Sequence, residues 1–116
     1  METLQQLNRV QLRGIIGSIK VQNVGCSKVA RLTVATNYAY KDAHGYCVIE
    51  TTWHNVTAWE GKTIQCIDRL GKGTRVEISG RLKNQRYIGE DGMDRYTTEI
   101  LAQTVGIITE PLIMEE

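Results

Sequence analysis

The sequence predicts an all-β fold, a small barrel of five strands with one short helix between the third and fourth. Three observations carry this. Long stretches alternate apolar and polar residues with period two, most cleanly Thr74 to Ile88, where Val76, Ile78, Gly80 and Leu82 interleave with Arg75, Glu77, Ser79, Arg81, Lys83, Gln85 and Tyr87. Gly14 and Gly17 interrupt the first such stretch, and glycine inside a strand marks the bulge or bend that a small sheet needs in order to close. One stretch alone, Gly61 to Leu70, changes to three-residue steps.

Taken in order, Asn8 to Val24 reads as a long first strand, with Val10, Leu12 and Ile16 on one parity and Arg9, Gln11 and Arg13 on the other. A turn near Asn23-Val24-Gly25 leads to a second strand, Lys28 to Ala39, with Leu32 and Val34 inward and Arg31 and Thr33 outward. Tyr38 and Tyr40 continue the inward parity past Thr36, so this strand must outrun the core, twist or bulge. The polar turn Lys41 to Gly45 joins it to a third strand that includes Thr51 to Trp59. Ile64, Ile67 and Leu70 then place an apolar stripe on the short helix, which Gly71-Lys72-Gly73 stops. Thr74 to Ile88, the turn Gly89 to Gly92 and Asp94 to Ile108 form a last, projecting hairpin. Five strands with this one helix in this order make the Greek-key barrel called the OB-fold, which binds oligonucleotides across its outer face.

The chain holds 116 residues, enough for one domain, expected over residues 1–110 with 111–116 as a short C-terminal extension. No apolar run reaches the roughly 20 residues that span a bilayer, and the N-terminus lacks the features of a signal peptide, so the expected location is cytoplasmic. Cys26, Cys47 and Cys66 are odd in number and widely spaced, as reduced thiols would be, and no set with metal-ligand spacing accompanies His44 and Cys47. Neither a metal nor a cofactor is expected. No phosphate loop, paired carboxylates or nucleophile-base arrangement suggests an enzyme. The formal charge of +1 is unevenly divided: residues 1–89 carry 13 Lys and Arg against 6 acids, whereas residues 90–116 carry 1 against 7. A basic face on a nearly neutral protein is therefore allowed.

The third strand holds the unusual feature. On the alternation of a strand, Val56 and Ala58 point one way while Trp53, Asn55, Thr57 and Trp59 point the other, mixing two indoles with small polar groups. Either another part of the protein covers this face or its rings await a flat ligand. Trp53, Trp59 and Tyr87 share the outward side with Arg9, Arg13, Arg75, Arg81 and Lys83. Rings interleaved with cations suit a single strand of nucleic acid, whose bases stack and whose phosphates need neutralising.

These residues also resemble a known family. Leu7-Asn8-Arg9-Val10, Leu32 to Thr36, Thr52 to Val56, Gly80-Arg81-Leu82 and above all Asp94-Arg95-Tyr96-Thr97-Thr98-Glu99 look like the bacterial single-stranded DNA-binding protein, in order and over nearly the whole chain. The resemblance implies an OB-fold homotetramer that coats single-stranded DNA in replication, recombination and repair. It places the stacking aromatics on Tyr40, Trp53, Trp59 and Tyr87, the first-strand cation on Arg9, and a histidine of the subunit contact on His54. The family usually has Trp at the positions of Tyr40 and Tyr87 and Phe at that of Trp59. It also continues into a Gly- and Pro-rich linker and an acidic tip that recruits replication and repair proteins, where this sequence ends at Glu110-Pro111-Leu112-Ile113-Met114-Glu115-Glu116. The expectation is a form without that tail. The alternative is a dimeric OB-fold scaffold of the primosomal type, bridging replication proteins.

Overall fold

Period-two alternation gives five strands: β1 (Val10–Val24), β2 (Ser27–Lys41), β3 (Cys47–Trp59), β4 (Arg75–Ile88) and β5 (Asp94–Ile107). They are seen in a computed structural model that describes residues 5–110; the expected extension at 111–116 lies outside the described residues. β1 pairs antiparallel with β2 and β4, β4 antiparallel with β5, and β5 parallel with β3, closing a barrel in the order β1-β2-β3-β5-β4. The closing seam is narrow. Only Val56 with Ile100 and Thr57 with Leu101 are in register across it.

β1 serves two partners because it bends. Its register with β2 passes from Ile16 and Val34 directly to Ser18 and Thr33, leaving Gly17 unpaired as a bulge. The extra residue flips the parity: Gln11, Arg13 and Ile15 are exposed before it, Ser18 and Lys20 after it, while Ile16 and Ile19 turn to the core. Ile16, Leu32, Val34, Val56, Val76, Ile78 and Ile100 fill the interior. Each such side chain contributes about 1.5–3 kcal/mol by leaving water. At two places the strands approach too closely for a side chain. A Cβ on Gly14 would meet the Ala35 carbonyl and lie 2.8 Å from Val34 Cγ1, and one on Gly80 would meet the Leu101 carbonyl.

The expected helix reduces to a single 3-10 turn, Ile67–Arg69. The three-residue apolar step fits either form, since 3-10 geometry repeats every three residues. Here Arg69 N donates to the Cys66 carbonyl and Leu70 N to that of Ile67, and Cys66 offers no capping side chain to start a longer helix. The stretch works as a plug: Ile64 and Ile67 belong to the core and Leu70 packs against it. Lys28 Nζ donates to Asp68 Oδ1 at 2.7 Å and ties the plug to β2. That bond, more than any other influence, holds the ammonium above its ordinary 10.5.

Two hairpins outrun the barrel. β2 and β3 stay in register from Val29 and Trp59 to Lys41 and Cys47, and β4 and β5 as far as Ile88 and Asp94. Among the described residues no His, Cys, Asp and Glu cluster could hold a metal ion, and no helix is long and apolar enough to cross a membrane.

Candidate nucleic-acid interface

β3 sets Trp53, Asn55 and Trp59 on the outer side of the sheet, opposite Ala35, Thr33 and Val29 of β2. Trp53 is 59% exposed and Trp59 43%. Thr57 shares their parity but is buried, its hydroxyl donating to Glu99 Oε2 of β5 at 2.8 Å. That bond adds a side-chain link beside the two-pair seam. Its cause is the seam itself, which sets β5 against Val56 and Thr57 of β3.

Beside Asn55 the β4–β5 hairpin rises over the outer face and encloses a groove of about 320 Å³. Ser18, Arg31, Thr33 and Asn55 line one side, and Gln85, Thr97 and Glu99 the other. The register explains the second wall: Lys83 stands opposite Glu99, Gln85 opposite Thr97 and Tyr87 opposite Arg95. Tyr87 thus continues the Gln85 side of the hairpin toward its tip and is half exposed. One row crosses four strands in register, from Arg31 through Thr57 and Leu101 to Arg81. A cation stands at each end of it, three strand spacings or roughly 14 Å apart along the sheet.

Tyr40 is not on this surface. Because the β2–β3 register has no bulge, it keeps the parity of Val34 and Thr36, opposite to that of Trp53. Its neighbour is Tyr38, with ring centroids 6.2 Å apart and planes tilted by 33°. On that same side His54 Nε2 is 2.8 Å from Thr36 Oγ1, and partial burial lowers its pKa below the ordinary 6.5, favouring the neutral ring. The four aromatic residues therefore divide into Trp53, Trp59 and Tyr87 toward the groove side and Tyr40 on the reverse of the hairpin, with His54.

The five cations singled out in the sequence also divide. Arg13 Nε bonds Glu77 Oε2 at 2.9 Å on the β1–β4 wall, and Arg75 donates to the Thr109 carbonyl at 3.2 Å. Arg9, Arg81 and Lys83 have no carboxylate within ion-pair distance among the described residues. Asn8 clasps the Leu82 backbone in both directions, at 2.8 and 2.9 Å, and so holds Arg9 at the root of the hairpin. Two cations join the set. Arg31 lines the groove, and Lys20 is its cross-strand neighbour. The parity of Arg31 was legible beside Thr33, whereas Lys20 becomes outward only through the bulge at Gly17.

A closed five-stranded barrel in this order, with its plug between β3 and β4, is the OB-fold. The chain belongs to the single-strand binding protein family, whose model matches residues 7–108. Single-stranded DNA-binding protein B of Bacillus subtilis is 38% identical over 77 residues, which cover 66% of each chain. Single-stranded DNA-binding protein 1 of Chlorobaculum tepidum is 34% identical over 98 residues, 82% of this chain and 60% of that one. The matched part is therefore under two thirds of the length of these relatives. Among solved structures, the Plasmodium falciparum SSB in complex with single-stranded DNA superposes with a TM-score of 0.76 at 26% identity, covering 92% of this chain and 97% of that one. A deletion mutant of the single-stranded DNA binding protein from Thermus aquaticus superposes with a TM-score of 0.72, at 22% identity over 88% of this chain and 50% of its own, and so shares the fold.

Proposed function

We propose that this protein binds single-stranded DNA without regard to sequence and protects exposed strands during replication, recombination and repair, as a non-catalytic, cytoplasmic homotetramer. The observation that carries the reading is Trp53, an indole more than half exposed on a polar face beside a groove with Arg31 at its wall. A ring there costs solvation and contributes nothing to the core, but offers a base its face. Stacking of this kind contributes about 1–3 kcal/mol per base and is indifferent to base identity. Trp53, Trp59 and Tyr87 stack bases along the groove side, while Arg9, Arg31, Arg81 and Lys83 neutralise phosphates. Tyr40 stacks a base only if the strand passes to the reverse of the β2–β3 hairpin. Arg13 and Arg75 contribute less, being engaged by Glu77 and Thr109. The test is titration of tryptophan fluorescence with oligo-dT at two salt concentrations. Strong quenching, binding that weakens as salt rises, and preference over duplex are expected. No quenching, or equal affinity for duplex, rejects the reading.

A further inference from the structure

Of the strand glycines, 14, 17 and 80 each lie where a side chain would collide, but the collisions differ in kind. At Gly14 and Gly80 a Cβ would strike carbonyl groups of the neighbouring strand, so these two keep the barrel closed. At Gly17 it would overlap Cζ3 of Trp53 and lie 2.8 Å from Cη2, with the Thr33 hydroxyl 3.3 Å away. The indole of β3 therefore crosses β2 at its small partner Ala35 and rests its outer edge on β1, at the bulge where Gly17 has no cross-strand partner. Alanine and glycine make the shallow bed on which the ring lies.

We propose that Gly17 is a positioning residue for nucleic-acid binding: by leaving its Cβ space empty it lets the Trp53 indole lie across the sheet and present its face to a base. The inference rests on the reading of Trp53 as a stacking residue. Its physical content is separate, because an exposed ring can swing away from a new methyl group at little cost to the fold. The methyl group would therefore change ring placement, and with it affinity, without unfolding the barrel.

The chain has two tryptophans, so Trp59→Phe leaves Trp53 as the sole reporter. In that parent without DNA, Gly17→Ala is expected to red-shift the emission and increase acrylamide quenching as the ring lifts off its bed. Anisotropy of labelled oligo-dT then reads affinity, with Gly17→Ala weakening binding roughly fivefold or more relative to the parent. Introduced alongside Trp53→Ala, where there is no ring to displace, the same change should have no further effect. Gly14→Ala, which strikes backbone, should instead lower the melting temperature. Unchanged emission and affinity in Gly17→Ala, loss of its fold, or an equal weakening beside Trp53→Ala would each overturn the proposal. If the unaltered protein does not bind oligo-dT, the DNA-binding reading fails, while the emission shift in the Trp59→Phe parent still decides whether Gly17 beds the ring.

Discussion

Replacing Trp53 by alanine removes an exposed ring that supports nothing beneath it except the bed at Ala35 and Gly17. It should weaken binding to oligo-dT by about 1–3 kcal/mol while leaving the melting temperature nearly unchanged. His54→Ala, one residue along but on the opposite side of β3, should weaken it far less when both are measured at protein concentrations well above any subunit dissociation. The reverse ranking in a fluorescence or anisotropy titration would mean that the ligand lies on the other face. His54 makes a second prediction of its own. Partial burial lowers its folded pKa below 6.5, so as pH falls the unfolded chain takes up the proton first. The stability that this site contributes is therefore complete above 6.5 and is lost as pH falls below that value toward the folded pKa. Melting curves from pH 7.5 to 5 should show a decline on the acid side that is shallower in His54→Gln. The parity of Trp53 and His54 was legible in the sequence, because alternation fixes it wherever a strand stays in register. The burial of Thr57 was not, since it depends on which strand closes the barrel and on Glu99 reaching it diagonally across that seam.

At the scale of the elements, the β4–β5 hairpin matters because it turns a flat outer face into a groove with two walls. Its cations should act differently from those on the β1–β4 wall. A phosphate contact on a single strand contributes about 0.7 to the slope of log affinity against log salt. Arg81→Ala and Lys83→Ala should each reduce that slope by roughly this amount, whereas Arg13→Ala should change it little, because Glu77 already holds the guanidinium. Equal reductions at all three positions would show that DNA draws Arg13 away from Glu77. The sequence revealed this hairpin through the alternation of Thr74 to Ile88, and the glycines of β1 correctly signalled a bend. Two features were beyond it. Ile64, Ile67 and Leu70 recur at a step shared by an α-helical stripe and a 3-10 plug, so the spacing could not choose between them. Tyr40 sits past the end of the core, where inward parity no longer means burial, and only an unbroken β2–β3 register places it behind the sheet that carries Trp53.

The whole molecule is more extended than its length requires. A compact chain of 116 residues has a radius of gyration of about 13 Å, against the observed 16.9 Å. Two hairpins leave the barrel and take apolar side chains with them: Tyr38, Tyr40 and Ile49 on one, Ile88, Met93 and Tyr96 on the other, with Ile88 71% exposed. An isolated protomer would hold these groups in water at a cost that folding does not recover, so part of this surface should be covered by further copies of the chain. The half-buried, neutral His54 beside Thr36 marks where the covering is expected to begin, on the side of β2–β3 away from Trp53. Sedimentation equilibrium should therefore give four times the chain mass at micromolar concentration. Thr36→Asp, which would place a charge on that side, should shift the mass toward the protomer without unfolding the barrel, because Thr36 is not part of the core. A protomer mass for the unaltered protein would remove the assembly from the proposal, while the bed of Trp53, built from β1, β2 and β3 of a single chain, would stand.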